Sequence, residues 1–199
     1  MIRLFPNRGG WLEVVCGPMF SGKSEELIRR LRRAEIAGQR ALIVKPRIDD
    51  RFDLGHVVSH AGATMRAVAV ARPEEIPGLV ESYEVVGVDE VQFFGREIVL
   101  VLDGLVEHGL RVVASGLDQD FRGRPFGPMP ELLCRAELVD KLQAVCHRCG
   151  GPATMTQRLV DGAPAPADGD TIVVGALEQY QARCRTCHEL RQPVGLTAV

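Results

Sequence analysis

The stretch WLEVVCGPMFSGKSEELIRRLRRAEIAG, residues 11–38, decides the fold. It opens on an apolar run, Trp11 to Cys16, and passes through a glycine-bounded turn. The period then changes: Leu27, Ile28, Leu31, Ala34 and Ile36 recur near helical spacing. Glu25 and Glu26 fall in the first turn of this helix, where its dipole favours acids, and Gly38 is placed to end it. ALIVK, residues 41–45, is a second strand-like run closed by Pro46. Strand, helix and strand in so short a span predict a βαβ unit, hence two parallel strands with a right-handed crossover.

The turn itself, Gly17-Pro18-Met19-Phe20-Ser21-Gly22-Lys23-Ser24, fits G-x-x-x-x-G-K-[ST] without a mismatch. Between a strand and a helix, such a loop turns successive backbone N–H groups toward a phosphate, and the helix N-terminus adds positive charge. Lys23 would reach the β- and γ-phosphates of a nucleoside triphosphate, and Ser24 would offer its hydroxyl to Mg²⁺. A chance glycine turn ahead of a helix is the bland alternative, and the strand–turn–helix context argues against it. VVGVDEVQFF, residues 85–94, reads as the second half of the same site. Asp89, at the end of a buried strand, is placed to hold Mg²⁺ through water. Glu90 admits three readings: a general base for an attacking hydroxyl, the water-activating carboxylate of an ATPase, or a solvated strand-end glutamate. Spacing alone does not separate them.

Working outward, residues 47–66 are polar and weakly patterned, a long loop with at most one edge strand. The alternation resumes with a helix from Pro73–Glu74, a strand over 84–90, a helix over 96–108 and a strand over 111–116. Near-continuous valine runs of this kind suit strands buried on both faces of a parallel sheet. LDQDFRGRPFGPMP, residues 117–130, is a loop, and ELLCRAELVDKL, residues 131–142, reads as a helix. DGAPAPADGD, residues 161–170, reads as a mobile tip between two hairpin arms. The expected architecture is an α/β, P-loop NTPase-like parallel sheet with helices on both faces over residues 1–145, followed by a small metal-stapled lobe over 146–199.

At 199 residues, 46% apolar and 25% charged, the chain is globular in composition rather than disordered. Its 24 Lys+Arg against 26 Asp+Glu leave −2, which speaks against general nucleic-acid binding. No apolar run approaches the ~18 residues of a membrane span, and MIRLFPNRGGW does not read as a signal peptide. A cytoplasmic location with no membrane partner is expected. The run Arg29, Arg30, Arg32 and Arg33 reads as a solvated or subunit-facing helix side. Trp11 reads as core or strand-end cover, and His56 and His60 as surface residues.

Of six cysteines, four form two C-x-x-C pairs, Cys146/Cys149 and Cys184/Cys187. Four thiolates around one tetrahedral Zn²⁺ make a closed, structural site. Residues 150–183 separate the pairs, longer than the usual ribbon spacing, and the APAPADGD tip accommodates the excess. A redox dithiol is the weaker reading, since two pairs are present and neither lies at a βα turn. His147 and His188 read as bystanders, with His188 an alternative to Cys187. Cys16 and Cys134 read as small buried hydrophobes.

Taken in order, GPMFSGKS, KPRIDDRF, VVSHAG, DEVQFF, LDQDFRGRPFGPMP, KLQAVCHRCG, ATMTQR and VVGALEQYQARCRTC resemble the zinc-containing cytosolic type of thymidine kinase, from about residue 11 to 191. The resemblance implies ATP-dependent phosphorylation of the 5′-hydroxyl of thymidine or deoxyuridine, for nucleotide salvage and DNA synthesis. It implies Glu90 as the base, Gln92 and Arg51 beside the ATP and its Mg²⁺, and Phe121 as the aromatic that holds the nucleoside. Met19, Phe93, Leu117 and Phe126 would line the same pocket, with Asp49 near the sugar. A lasso of residues 171–176 (Thr171, Ile172, Val173, Val174, Gly175, Ala176) with Tyr180 would close over the base largely through backbone groups, and Thr156 would contribute from the opposing arm. A homotetramer inhibited by thymidine triphosphate is also implied. Two departures stand out: Gly175–Ala176 replaces the common Gly-Gly, and Val91 stands where Ala or Gly is common. Two other functions compete: an ATPase acting on nucleic acid through a zinc ribbon, and a binding module on a degenerate nucleotide fold. The charge balance and the lack of a second motor lobe oppose the first; intact Lys23, Ser24, Asp89 and Glu90 oppose the second.

Overall fold

Alternate residues of the central strands are buried on opposite sides. Val14, Val86 and Val112 join one apolar cluster, while their chain neighbours Val15, Val85 and Val113 join another. The structure, a computed structural model, describes residues 9–47, 56–58, 64–169, 171 and 180–191. The sheet is built from β1 (Trp11–Cys16), β2 (Ala41–Pro46), β3 (His56–Val58), β4 (Thr64–Val70), β5 (Val85–Val88), β6 (Arg111–Gly116) and β7 (Leu138–Lys141). Its spatial order is β3-β4-β2-β5-β6-β1-β7. All neighbours run parallel except the edge strand β3, which is antiparallel to β4.

Helix α1 (Lys23–Ile36) covers one face with Leu27, Ile28, Leu31 and Ala34. The helices α2 (Ile76–Val80), α3 (Glu97–Glu107) and α4 (Met129–Arg135) cover the other, through Ile76, Ile98, Leu102, Met129 and Leu132. Helix α1 approaches β5 so closely that a Cβ at Gly87 would lie 2.8 Å from a Leu31 methyl. Gly38, at φ +81°, ends α1 as expected. Beyond the sheet come β8 (Ala144–Val145), β9 (Pro152–Ala153), β10 (Met155–Val160), β11 (Ala163–Pro164) and β12 (Tyr180–Arg183). β10 is the middle of a three-stranded sheet, and β8 pairs with β9. Among the described residues, no helix is long and apolar enough to cross a membrane.

Four expectations need correction. Residues 64–70, of which 64–66 fall in the expected long loop and 67–70 carry no assignment, form the parallel strand β4. The helix expected over 131–142 stops at Arg135, and residues 138–141 pair with β1 instead. Glu137 drives that switch: its carboxylate accepts the Leu12 N–H at 2.7 Å, and its own N–H donates to the Leu12 carbonyl. Cys134 is exposed rather than buried. Arg30 is not solvated; it is 6% exposed and sits in an ion-pair network.

That network ties α1 to two strands. Glu13 on β1 is 2% exposed and accepts from Arg30 Nη1 at 2.7 Å and Arg111 Nε at 2.6 Å. Trp11 Nε1 adds a third bond at 2.8 Å, so Trp11 is a half-buried strand-end cover. Arg30 also pairs with Glu26 at 2.8 Å and with Asp140 on β7. Burial works to raise the Glu13 carboxyl, but hydrogen bonds from Arg111 and Trp11 and both guanidinium charges leave it lowered. Glu26 is held down at about 2, mainly by its hydrogen bond from Arg29. A lowered acid contributes stability above its ordinary pKa and loses it as pH falls through the lowered value. Breaking a buried pair costs more than the pair is worth, because it strands the remaining charge. Arg30→Met should therefore destabilise the fold by about 3 kcal/mol in urea denaturation, toward the low end because Arg111 still neutralises Glu13. A loss under about 1 kcal/mol would show that the network is energetically silent.

Candidate active site

Three neighbouring strands, β5, β6 and β1, end at the same edge of the sheet. The chain leaving each carries functional groups: the phosphate loop after β1, Asp89–Glu90 after β5, and Leu117–Phe126 after β6. Ligands of open α/β sheets bind at this carboxyl edge.

The phosphate loop is shaped by its glycines. Gly17 has φ +144°, and a Cβ there would come within 2.5 Å of the Leu142 carbonyl oxygen. Gly22 turns into α1 at φ +86°. Lys23 is 9% exposed and its Nζ donates to the Pro18 carbonyl at 2.8 Å. Burial lowers its pKa, and the nearby charges of Glu90, Asp89 and Asp118 oppose that shift. Ser24 Oγ lies 3.4 Å from Asp89 Oδ1, so a hydroxyl and a carboxylate converge beside the loop. Both are hard oxygen donors that fit Mg²⁺. Asp89 is raised to about 6, first by burial and then by the neighbouring Glu90 charge. A cation bound there would displace the proton.

Glu90 occupies the left-handed region at φ 52°, as does Phe20 in the phosphate loop at φ 66°. Side chains seldom adopt that conformation, and such strain concentrates at functional sites. Gln92, 2% exposed, fixes Glu90 in place: its Nε2 donates to Glu90 Oε2 at 2.5 Å. Its Oε1 accepts the Leu117 N–H at 3.0 Å, and because a backbone N–H can only donate, the amide orientation is determined. Val91, between them, is fully buried.

The loop after β6 folds over the same edge. Phe93 and Phe126 meet edge to face at 5.6 Å. Phe121 is 3% exposed, with the Arg122 guanidinium 4.2 Å and that of Arg158 5.3 Å from its ring centre. Asp118 is buried and paired with Lys141 at 2.6 Å, while its Oδ1 is buried with no hydrogen-bond partner in the structure. The small lobe reaches in at two points. Thr156 Oγ1 accepts the Met19 N–H at 3.0 Å, and His188 Nε2 donates to the Phe121 carbonyl at 2.8 Å. Tyr180 pairs with Arg158 across β10 and β12.

The four cysteines Cys146, Cys149, Cys184 and Cys187 place their sulfurs within 4.8 Å of one another. Cys149 and Cys184 sulfurs are 3.8 Å apart, too far for a disulfide. That separation is the edge of a tetrahedron with metal–sulfur bonds of ~2.3 Å, so the donor set fits zinc. His188, turned to Phe121, stands outside this cluster.

The structure thus brings the phosphate loop, Asp89, Glu90, Gln92, Phe93, Leu117, Phe121, Phe126 and Thr156 to one edge. Thr171 is exposed and bonded to Arg122. Asp49, Arg51, Ile172, Val173, Val174, Gly175, Ala176 and His60 lie outside the described residues, and of His56 only the backbone is described. Sequence reading gave no role to Asp118, Arg122 or Arg158. An acid two residues past a buried strand was the available signal for Asp118; the two arginines acquire meaning only through contacts distant in sequence. Compared with known proteins, residues 10–188 match the family model described as thymidine kinase.

Proposed function

Since this chain belongs to the thymidine kinase family, and is therefore a phosphotransferase, we propose that it transfers the γ-phosphoryl group of ATP to the 5′-hydroxyl of thymidine, and of deoxyuridine, for nucleotide salvage in the cytoplasm. The observation that carries this reading is the convergence of a buried Lys23 and the Ser24–Asp89 pair with a Glu90 held by Gln92. Phosphoryl transfer needs positioning and charge neutralisation more than covalent chemistry.

In this reading Lys23 and the loop N–H groups bind the triphosphate, and Ser24 and Asp89 hold Mg²⁺. The ion, when bound, neutralises charge on the phosphates. Glu90 takes the proton from the 5′-hydroxyl as that oxygen bonds to the γ-phosphorus and the bond to the departing ADP oxygen breaks. Phe121, Leu117, Phe93 and Phe126 seat the nucleoside, with Met19, Asp49 and Arg51 completing the surroundings of sugar and phosphates. Residues 171–175, with Tyr180 and Thr156, cover the base and exclude water, the competing nucleophile. Backbone groups there would reject cytosine, whose amine presents a donor where thymine has an acceptor. The reading also divides the chain at 145/146 into a nucleotide-binding unit and a zinc-bearing unit, and includes the homotetramer and its inhibition by thymidine triphosphate.

The test is ADP release with Mg·ATP and each nucleoside in turn. Release that depends on thymidine is the expected result. Dependence on single-stranded DNA would establish a nucleic-acid ATPase instead, and no release with any acceptor would overturn the kinase reading.

A further inference from the structure

Arg122 makes more polar contacts across the site than any functional role assigned above requires. Its side chain is 9% exposed. Nε donates to the Ala167 carbonyl at 2.7 Å, and Nη2 donates to the Gly169 carbonyl. Nη1 donates to Thr171 Oγ1 at 3.1 Å and to Asp120 Oδ2 at 3.0 Å. The Ala167 and Gly169 carbonyls belong to a turn closed by the Gly169 N–H donating to the Pro166 carbonyl at 3.2 Å, so one guanidinium clamps that turn and also reaches the Thr171 hydroxyl beyond it. The backbone of Arg191 holds Ala165 and Ala167 independently. The guanidinium also stacks 4.2 Å from the Phe121 ring centre. Asp120 prepares this arrangement: its Oδ1 accepts the N–H groups of both Arg122 and Arg124, and its Oδ2 carries the counter-charge.

We infer that Arg122 is a positioning residue that fixes two halves of the nucleoside pocket relative to one another: the Phe121 ring and the stretch by which the chain enters residues 172–175. The inference rests on the reading that these two elements hold the nucleoside. It follows that Arg122 tunes nucleoside binding and leaves the phosphate loop alone, since none of its contacts involves residues 17–24. A planar fork that serves several acceptors and stacks on a ring has no equivalent in lysine, which carries a point charge. Arg122→Lys should therefore resemble Arg122→Gln more than wild type.

The test pairs kinetics with hydrogen exchange. In Arg122→Gln, loss of several charge-assisted hydrogen bonds should raise the thymidine KM by about tenfold or more. kcat and the ATP KM should stay within about twofold, and deuterium uptake at the Asp168 and Gly169 amides, in the turn that Arg122 clamps, should accelerate without any substrate present. A role confined to stability would instead lower Tm and disturb both KM values and kcat together, which would overturn the inference. So would unchanged uptake at Asp168 and Gly169, whatever the enzyme's substrate. Wild-type protein inactive toward thymidine would overturn the functional reading and leave the exchange result to stand by itself. If Arg122→Gln does not fold, Arg122→Lys carries the same measurements. Arg96→Gln, at a surface arginine paired with Glu131 among the described residues, should change none of them.

Discussion

Glu90→Gln is expected to lower turnover by on the order of 10²–10⁴-fold while ATP affinity stays within about twofold. The substitution keeps shape and removes basicity. In the native protein Gln92 Nε2 donates to Glu90 Oε2, and the oxygen of a glutamine amide can accept that bond equally well. The backbone at φ 52° is no harder for glutamine than for glutamate. The variant should therefore retain the geometry while losing the ability to take a proton, together with the charge that acts on Lys23 and Asp89. Glu90→Asp separates reach from basicity: the carboxylate survives but is one methylene shorter, so a partial activity between the two is expected. Single-turnover phosphorylation with saturating ATP, alongside ATP titration, measures both quantities. Turnover equal to wild type in Glu90→Gln would remove Glu90 from the base role and return it to a solvated strand-end acid. A variant that loses ATP binding in parallel would place Glu90 with the metal instead.

The features read most directly from sequence were those set by local pattern. The change from a strand run to helical spacing at residues 11–38 fixed β1, α1 and the loop between them, because burial on both faces of β1 and one face of α1 leaves an unbroken periodic signal. β4 escaped because its first residues alternate in exposure and begin with Thr64 and Arg66, a weak pattern for a parallel strand. β7 escaped for a different reason. Leu132, Leu133, Ala136, Val139 and Leu142 satisfy helical spacing as well as any true helix, and only the exchange between Glu137 and Leu12 turns the chain into the sheet. Arg30 shows the same limit at a single residue. Four arginines in five positions look alike until Glu13, seventeen residues away on another element, selects the one that is buried. The site divides along the same line: the phosphate loop and Asp89–Glu90 are local motifs, whereas the bonds from Thr156 to Met19 and from His188 to Phe121 join residues far apart in the chain.

Those two bonds give the zinc site its largest expected consequence. Cys149→Ser should reduce zinc from one ion per chain to none and abolish detectable phosphorylation, while the seven-stranded sheet keeps its far-UV signature. Among the described residues the lobe's apolar cluster is small: it consists of Ala144, Cys146, Ala153 and Ala182, with Cys184 and Cys187 against it. A core that small does not offset the chain entropy of ordering the lobe, and a metal bound by the four cysteines would supply the missing folding free energy. The two large clusters on either face of the sheet contain, among the described residues, none beyond Leu142, so they should survive the loss. What fails is registration. Without the cysteine cluster, His188 would no longer secure the Phe121 carbonyl and Thr156 would no longer receive the Met19 N–H, so both the Phe121 loop and the turn at residues 17–24 would lose a support. Metal analysis, circular dichroism and the thymidine-dependent assay on the same preparation distinguish the outcomes. Active wild-type protein that contains no zinc would disprove the four-thiolate site. A zinc-free Cys149→Ser protein of undiminished activity would show that the lobe keeps its grip on Phe121 without metal, and would confine the ion to stability.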